Sequence, residues 1–379
     1  MKKLSYLAIC AAPIAISLIA CTDPNRTPPE ASQGTTETSE TISQVPVVEF
    51  ISEARLPTGL IYQNTEIGGL SGITYDEKNQ VYYAISDDRS QKADARFYTL
   101  NIENSPVRVN PDITVTTLFQ KSGKPFAPGT LDPEGIALSD RGTLYISSEG
   151  DRDRNSPPFI KEFSLNGQQL KTLTIPEKFL PDPDNQKGVR NNLAFESLAI
   201  APDNNWLFTG TENALIQDGV PADIDQGSPV RILKYNLLTG QPEKEFLYLT
   251  EPVAESANPP DSFQTNGLVE LLAVNETKLL SLERSYSNGV GNTILLFEVS
   301  LETASDIQTM KSLKSENLAA IIPAKKRLLF DLRSLNIPLD NIEGMTFGPL
   351  LPDGRRSLIL ISDNNFNPLQ VTQILVIGY

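Results

Sequence analysis

From residue 46 onward, short runs at the two-residue period of half-buried strands alternate with clusters of Gly, Pro, Asn and Asp. The cleanest stretch predicts four strands in succession, Glu134–Ser139, Thr143–Ser148, Phe159–Leu165 and Gln169–Ile175. Turn residues separate them at Asp140-Arg141-Gly142, Asn155-Ser156-Pro157-Pro158 and Leu165-Asn166-Gly167. Upstream, Val81–Ile85, Arg96–Leu100 and Ile113–Leu118 match the same plan, and downstream so do Trp206–Phe208, Val230–Tyr235 and Lys244–Leu249. Near the end, Ser357–Ile361 and Gln373–Ile377 leave the last group one strand short, while Val45–Ile51 stands before the first group as a spare strand.

A signature recurs with this pattern. Leu70-Ser71-Gly72-Ile73, Pro133-Glu134-Gly135-Ile136, Phe195-Glu196-Ser197-Leu198, Val269-Glu270-Leu271-Leu272 and Ile342-Glu343-Gly344-Met345 each open a group. Each is followed by an acidic strand end: Ser86-Asp87-Asp88, Ser148-Glu149-Gly150, Thr211-Glu212-Asn213, Leu282-Glu283-Arg284 and Ser362-Asp363-Asn364. Repetition at intervals of roughly 62–74 residues, with four strands per interval, predicts an all-β fold, a β-propeller of five four-stranded blades. The spare N-terminal strand would complete the last blade and leave no free edge. A sixth blade within 292–340 stays open, because Asn317–Asp331 is longer than one strand requires.

The chain begins differently. Lys2 and Lys3 precede an apolar core, Leu7–Ala20, that is too short to span a membrane permanently, so residues 1–20 read as a signal peptide. Leu18-Ile19-Ala20-Cys21 resembles a bacterial lipobox with Cys21 as the lipidated residue, and a plain signal peptide is the alternative. Residues 21–45, rich in Thr, Ser, Pro and Glu, read as a disordered tether, and 46–379 as one propeller domain. With Cys10 removed and Cys21 modified, the domain would hold no thiol for a disulfide. The expected location is therefore exported and lipid-anchored, at a cell or outer membrane.

Charge and composition narrow the chemistry. A formal net charge of −15 argues against nucleic acid and anionic membrane surfaces as partners, leaving the lipid as the only membrane attachment. The sequence has no histidine, which removes Ser-His-Asp and Cys-His catalysis and ordinary zinc-hydrolase sites. Chemistry is left to carboxylates, Arg, Lys, Tyr, Ser or a hard metal.

In a blade the first strand lies nearest the axis, and strands one and two form a hairpin. The signature acids Glu134, Glu196, Glu270 and Glu343 are thus expected in a partial ring around the channel mouth, with Ser71 replacing the acid in the first blade. Asp87, Glu149, Glu212, Glu283 and Asp363 are expected in a second ring outside it. So many carboxylates would repel one another, and divalent cations are the natural compensation. Oxygen-only donors favour Ca2+ or Mg2+. The competing reading for any single Glu is a cap on backbone N–H groups at a blade junction. Arg89 and Arg284, with Asn364 and Asn365, lie in loops of the same face and suit a phosphate ester, whereas Arg152 and Arg154 fit local ion pairing equally well.

Gly69–Asp76 with Tyr83–Asp88, Asp132-Pro133-Glu134-Gly135-Ile136-Ala137 and Ala194–Ala199 resemble the phytase-like β-propeller family of bacterial exported proteins, often labelled "esterase-like activity of phytase". Leu282–Tyr286 with Gly291-Asn292, and Asp340–Met345 with Ser362–Pro368, extend the resemblance, which spans roughly residues 60–379. It implies phosphoester hydrolysis by metal-bound carboxylates. The leading expectation is a monomeric Ca2+-dependent phosphoesterase acting on a small phosphate ester. Metals on Glu134, Glu196, Glu270 and Glu343 would activate water. Asp87, Glu149, Glu212, Glu283 or Asp363 would hold a second metal or orient water, and Arg284 and Arg89 would contact the ester. Two other readings are a non-enzymatic surface-binding propeller with structural calcium, and a lactonase or carboxylic-ester hydrolase.

Overall fold

The computed structural model describes residues 48–110, 112–314 and 318–379; the leader, Cys21 and the tether fall outside the described residues. Among these residues no helix is long and apolar enough to cross a membrane.

Five four-stranded antiparallel sheets form; in four of them the strands lie in sequence order from the first outward, and the fifth takes its outer strand from the N-terminal end of the described residues. Blade 1 comprises Leu70–Asp76, Val81–Ser86, Arg96–Leu100 and Thr114–Thr117; blade 2 comprises Pro133–Leu138, Thr143–Ser148, Phe159–Ser164 and Gln169–Thr172. Blade 3 comprises Ala199–Ile200, Trp206–Gly210, Pro229–Asn236 and Gln241–Leu249. Blade 4 comprises Gln264–Ala273, Lys278–Ser287, Gly291–Ser300 and Lys325–Asp331. Blade 5 takes Asn341–Leu350, Arg356–Asp363 and Val371–Gly378 from the C-terminus. The first strands touch in a closed cycle, 1 to 2 to 3 to 4 to 5 and back to 1, so they line the axis.

The spare strand does close the ring. Glu49–Pro57 pairs antiparallel with Val371–Gly378, from Glu49 opposite Gly378 to Pro57 opposite Val371, as the outer strand of blade 5. No sixth blade forms among the described residues. The stretch 292–340 holds the last two strands of blade 4, and the connector between them docks on the outer strand of blade 3, where Ile307 N donates to Glu245 O at 2.8 Å and Ala324 N to Leu247 O at 2.7 Å. Ile307, Leu313 and Ile321 bury there against Leu247. A segment that covers an edge looked like spare strand.

Apolar side chains fill every junction between blades. Tyr83, Ile85 and Phe97 of blade 1 pack on Leu144, Ile146 and Phe163 of blade 2, and equivalent layers fill the other four interfaces. Both faces of each middle strand are therefore buried, which is why these runs read as nearly continuous apolar segments. This layered core carries the stability of a domain without disulfides.

Candidate metal centre

The repeated signature is a β-bulge. In blade 5, Ile342 faces Ser362 and Gly344 faces Ile361, so Glu343 is an extra residue against the partner strand. The same insertion occurs at Ser71 in blade 1, at Glu134-Gly135 in blade 2 and at Glu196–Leu198 in blade 3. A bulge re-aims the side chain it carries. The residue that closes the second strand lies next to it across the hairpin. Blades 1, 2, 3 and 5 thus each offer two positions to one mouth: Ser71 and Asp87, Glu134 and Glu149, Glu196 and Glu212, then Glu343 and Asp363.

Blade 4 departs from this pattern. There Leu268 faces Glu283 and Glu270 faces Leu282, so the extra residue is Val269, and the strand-end position belongs to Arg284. One residue of register reverses which side chains share a face. The expected placement of Glu270 and Glu283 in the two rings is therefore corrected. Glu270 accepts the N–H of Leu271 at 2.9 Å and of Leu198 at 3.3 Å, and the N–H of Met345 also reaches it, so it joins the first strands of blades 3, 4 and 5. This is the capping role. Glu283 turns into the outer blade, accepting from Tyr248 Oη at 2.6 Å, Lys326 Nζ at 2.6 Å and the Glu251 N–H at 2.7 Å.

The remaining acids converge. A cavity of about 830 Å³ is lined by Asp87, Asp132, Glu134, Glu196, Glu212, Glu343 and Asp363, with Arg89 and Arg284 among them. Glu149 lies behind the wall, close to Asp132 and Glu134, and one oxygen from each of the three comes within 4.8 Å of the others. Burial is the main cause that pushes these carboxyls up, and neighbouring carboxylates push further. Asp132 rises to about 6, Asp87 and Glu212 to about 7 and Glu149 to about 8. Glu134, Glu196 and Asp363 rise well above the usual range. Glu196 repels Glu134, Asp132 repels Asp87, and Asp87 repels Asp363, so the strain runs around the mouth.

Among the described residues two guanidiniums offset it at depth. Arg284 donates to Glu343 Oε1 at 2.8 Å and lies 3.7 Å from Glu212, while its Nε is buried without a hydrogen-bond partner. Arg89 donates through Nε to Asp132 at 2.7 Å and through Nη2 to Asn192 at 2.8 Å. Asp87 Oδ1 is also buried without a partner. Backbone makes room for these groups. Gly69, at φ +63°, has no side chain where a Cβ would sit 1.9 Å from Asp87 Oδ1, and a Cβ on Gly267 would stand 2.3 Å from Glu212.

Three clustered oxygen donors at the cavity, with an unpartnered carboxylate oxygen nearby, fit a hard divalent cation. Asp132 escaped the sequence-based site because it precedes the bulge by two residues; its signal was the Asp-Pro-Glu-Gly string itself. Asn365 lines the cavity, but Asn364 does not: its side chain is fully buried and its Oδ1 accepts from the N–H of Gly69 and of Phe366, both at 3.0 Å. Arg154 lies 3.6 Å from Asp151, the local ion pair expected of it, whereas Arg152 donates to the Val189 carbonyl at 2.6 Å instead of to a neighbouring acid. In Ser86-Asp87-Asp88, Asp88 points away and binds buried Arg96 at 2.7 Å.

Residues 65–366 match the phytase-like family described as esterase-like activity of phytase. No curated protein matches the chain. Among solved structures, a thermostable family-43 glycoside hydrolase is similar at 13% identity and TM-score 0.44, over 85% of this chain and 92% of that one. The Dos1 propeller aligns at 8% identity and TM-score 0.33, over 81% of this chain and 67% of that one. A tail fiber of Staphylococcus aureus phage P68 aligns at 15% identity and TM-score 0.36, over 88% and 52%.

Proposed function

This chain belongs to the phytase-like family, and from that premise we propose that it is an exported, lipid-anchored, Ca2+-dependent phosphoesterase. The observation that carries the reading is the juxtaposition of the Asp132, Glu134 and Glu149 cluster with Arg284 at a single cavity. Asp132, Glu134 and Glu149 would hold the cation, which when bound polarises a phosphoryl oxygen and acidifies water.

The chain's own groups do the rest. Arg284 replaces the carboxylate that the other four blades present, so one sector of an otherwise acidic mouth can receive a phosphate. Asp87, poised at about 7 with a free oxygen, takes a proton from the attacking water. Glu196, on which burial and the neighbouring Glu149 favour the protonated form, supplies the proton to the departing alcohol as the P–O ester bond breaks. Excess negative charge around these groups keeps the ester out unless cations neutralise part of it, which makes activity cation-dependent.

The test is phosphate release from aryl phosphates and inositol hexakisphosphate, with Ca2+, with Mg2+ and with chelator. Turnover that chelator abolishes and Ca2+ restores is expected. Absence of turnover with every cation would leave a cation-dependent binding propeller, and cleavage of lactones or carboxylic esters instead of phosphates would reassign the bond broken.

A further inference from the structure

The cavity wall is not uniformly polar. Phe263, Tyr286, Leu339 and Leu369 line it alongside the acids. Phe263 leads into blade 4, Tyr286 lies on its second strand, and Leu339 and Leu369 come from loops of blade 5. Phe263 is 64% and Leu369 92% exposed, and the Phe263 and Tyr286 rings form a tilted pair 6.1 Å apart. A lone exposed Leu is ordinary, but four large apolar side chains on one wall of a charged cavity form a surface with work to do. They belong to the blade that supplies Arg284 and to the next one, whereas Asp132, Glu134 and Glu149 come from blade 2 or its edge. The wall therefore runs from cation donors, past a guanidinium, to an apolar shelf.

We propose that the preferred ligand is a phosphate monoester of an apolar alcohol, aryl or long-chain, whose phosphate meets Arg284 while its alcohol lies on the Phe263, Tyr286, Leu339 and Leu369 shelf. This rests on the phosphoesterase reading for the phosphate and goes beyond it in naming the alcohol. Charge supports the choice. Eight carboxylates face the cavity against three guanidiniums, with no lysine among the described lining residues, so a polyphosphorylated polyol meets far more repulsion than a single phosphate does. A polyol also gains nothing from the shelf.

Binding of two non-hydrolysable phosphonates, methylphosphonate and naphthylmethylphosphonate, measured by calorimetry in Ca2+, tests this without requiring turnover. The naphthyl compound is expected to bind about tenfold more tightly, the scale of covering one aromatic face. In the double variant Phe263→Ser, Leu369→Ser that preference should shrink toward unity, with a melting temperature within roughly two degrees of the parent because both side chains are exposed. Equal affinities in the parent, a preference untouched by the double variant, or failure of both phosphonates to bind would overturn the proposal. Naphthyl preference without hydrolysis of any ester keeps the shelf and sinks the phosphoesterase. Hydrolysis of inositol hexakisphosphate as fast as of naphthyl phosphate does the reverse.

Discussion

Two glutamates one bulge apart in register do opposite jobs. Glu134 stands on a bulge in a crowd of acids, and Glu270 sits one position beyond the bulge, facing three backbone N–H groups. Burial pushes the Glu270 carboxyl well up, so a neutral amide of the same shape imitates it. Glu270→Gln is expected to change stability by less than about 1 kcal/mol and leave cation affinity intact. Glu270→Ala strands those donors and should cost about 2–4 kcal/mol in a denaturant melt. Glu134→Gln behaves the other way. Without cation it relieves repulsion and should raise the melting temperature, while Ca2+ affinity by calorimetry falls at least roughly tenfold through loss of a ligand. A lower melting temperature for the metal-free Glu134→Gln protein would mean that the acids do not strain one another.

At the level of the element, the acidic-glycine pair is a single device. The bulge turns the acid toward the mouth, and the glycine after it lets the next blade approach. A Cβ on Gly135 would stand 2.7 Å from Glu196 O and 2.8 Å from Leu198 N, and one on Gly72 would stand 2.6 Å from Glu134 O. Backbone cannot step aside as a flexible side chain can. Gly135→Ala should therefore cost about 1–3 kcal/mol of overpacking, seen as a lower urea midpoint with an unchanged slope. It should also weaken Ca2+ binding, since Glu134 and Glu196 ride on the strands it forces apart. The period-2 pattern made the strands legible, and the repeated Glu-Gly pair marked where they start. Blade 4 was misread because Val269-Glu270 looks like the same pair in a sequence, and only hydrogen-bond register shows that the acid occupies the glycine's position.

For the molecule as a whole, the ring of buried acids couples folding to protons and to cations. Asp132, Asp87, Glu212 and Glu149 have folded values of about 6, 7, 7 and 8, above the 3.8 or 4.5 of free side chains. The folded state thus holds protons that the unfolded state has released, and stability falls as pH rises from about 4 to about 8. Cations reverse the loss where the acids ionise. In chelator the melting temperature should drop steadily across that window. Ca2+ should restore it more at pH 8 than at pH 5, by about 2.7 kcal/mol when present at a hundredfold its Kd. A flat pH profile in chelator, or equal Ca2+ stabilisation at both pH values, would contradict the strained-ring picture.

Strand number, blade count and the N-terminal closing strand follow from local alternation, turn residues and a repeated signature, because each reports on a few neighbouring positions of the chain. The absence of histidine likewise settled in advance that any site here uses oxygen donors. Which carboxylates meet was decided by folding. A single-residue bulge sets the face on which a side chain emerges, and bulge registry is fixed by pairing between strands rather than by the residues themselves. That pairing sent Glu270 to the backbone, gave its sector of the mouth to Arg284, and brought Asp132 beside Glu134 and Glu149.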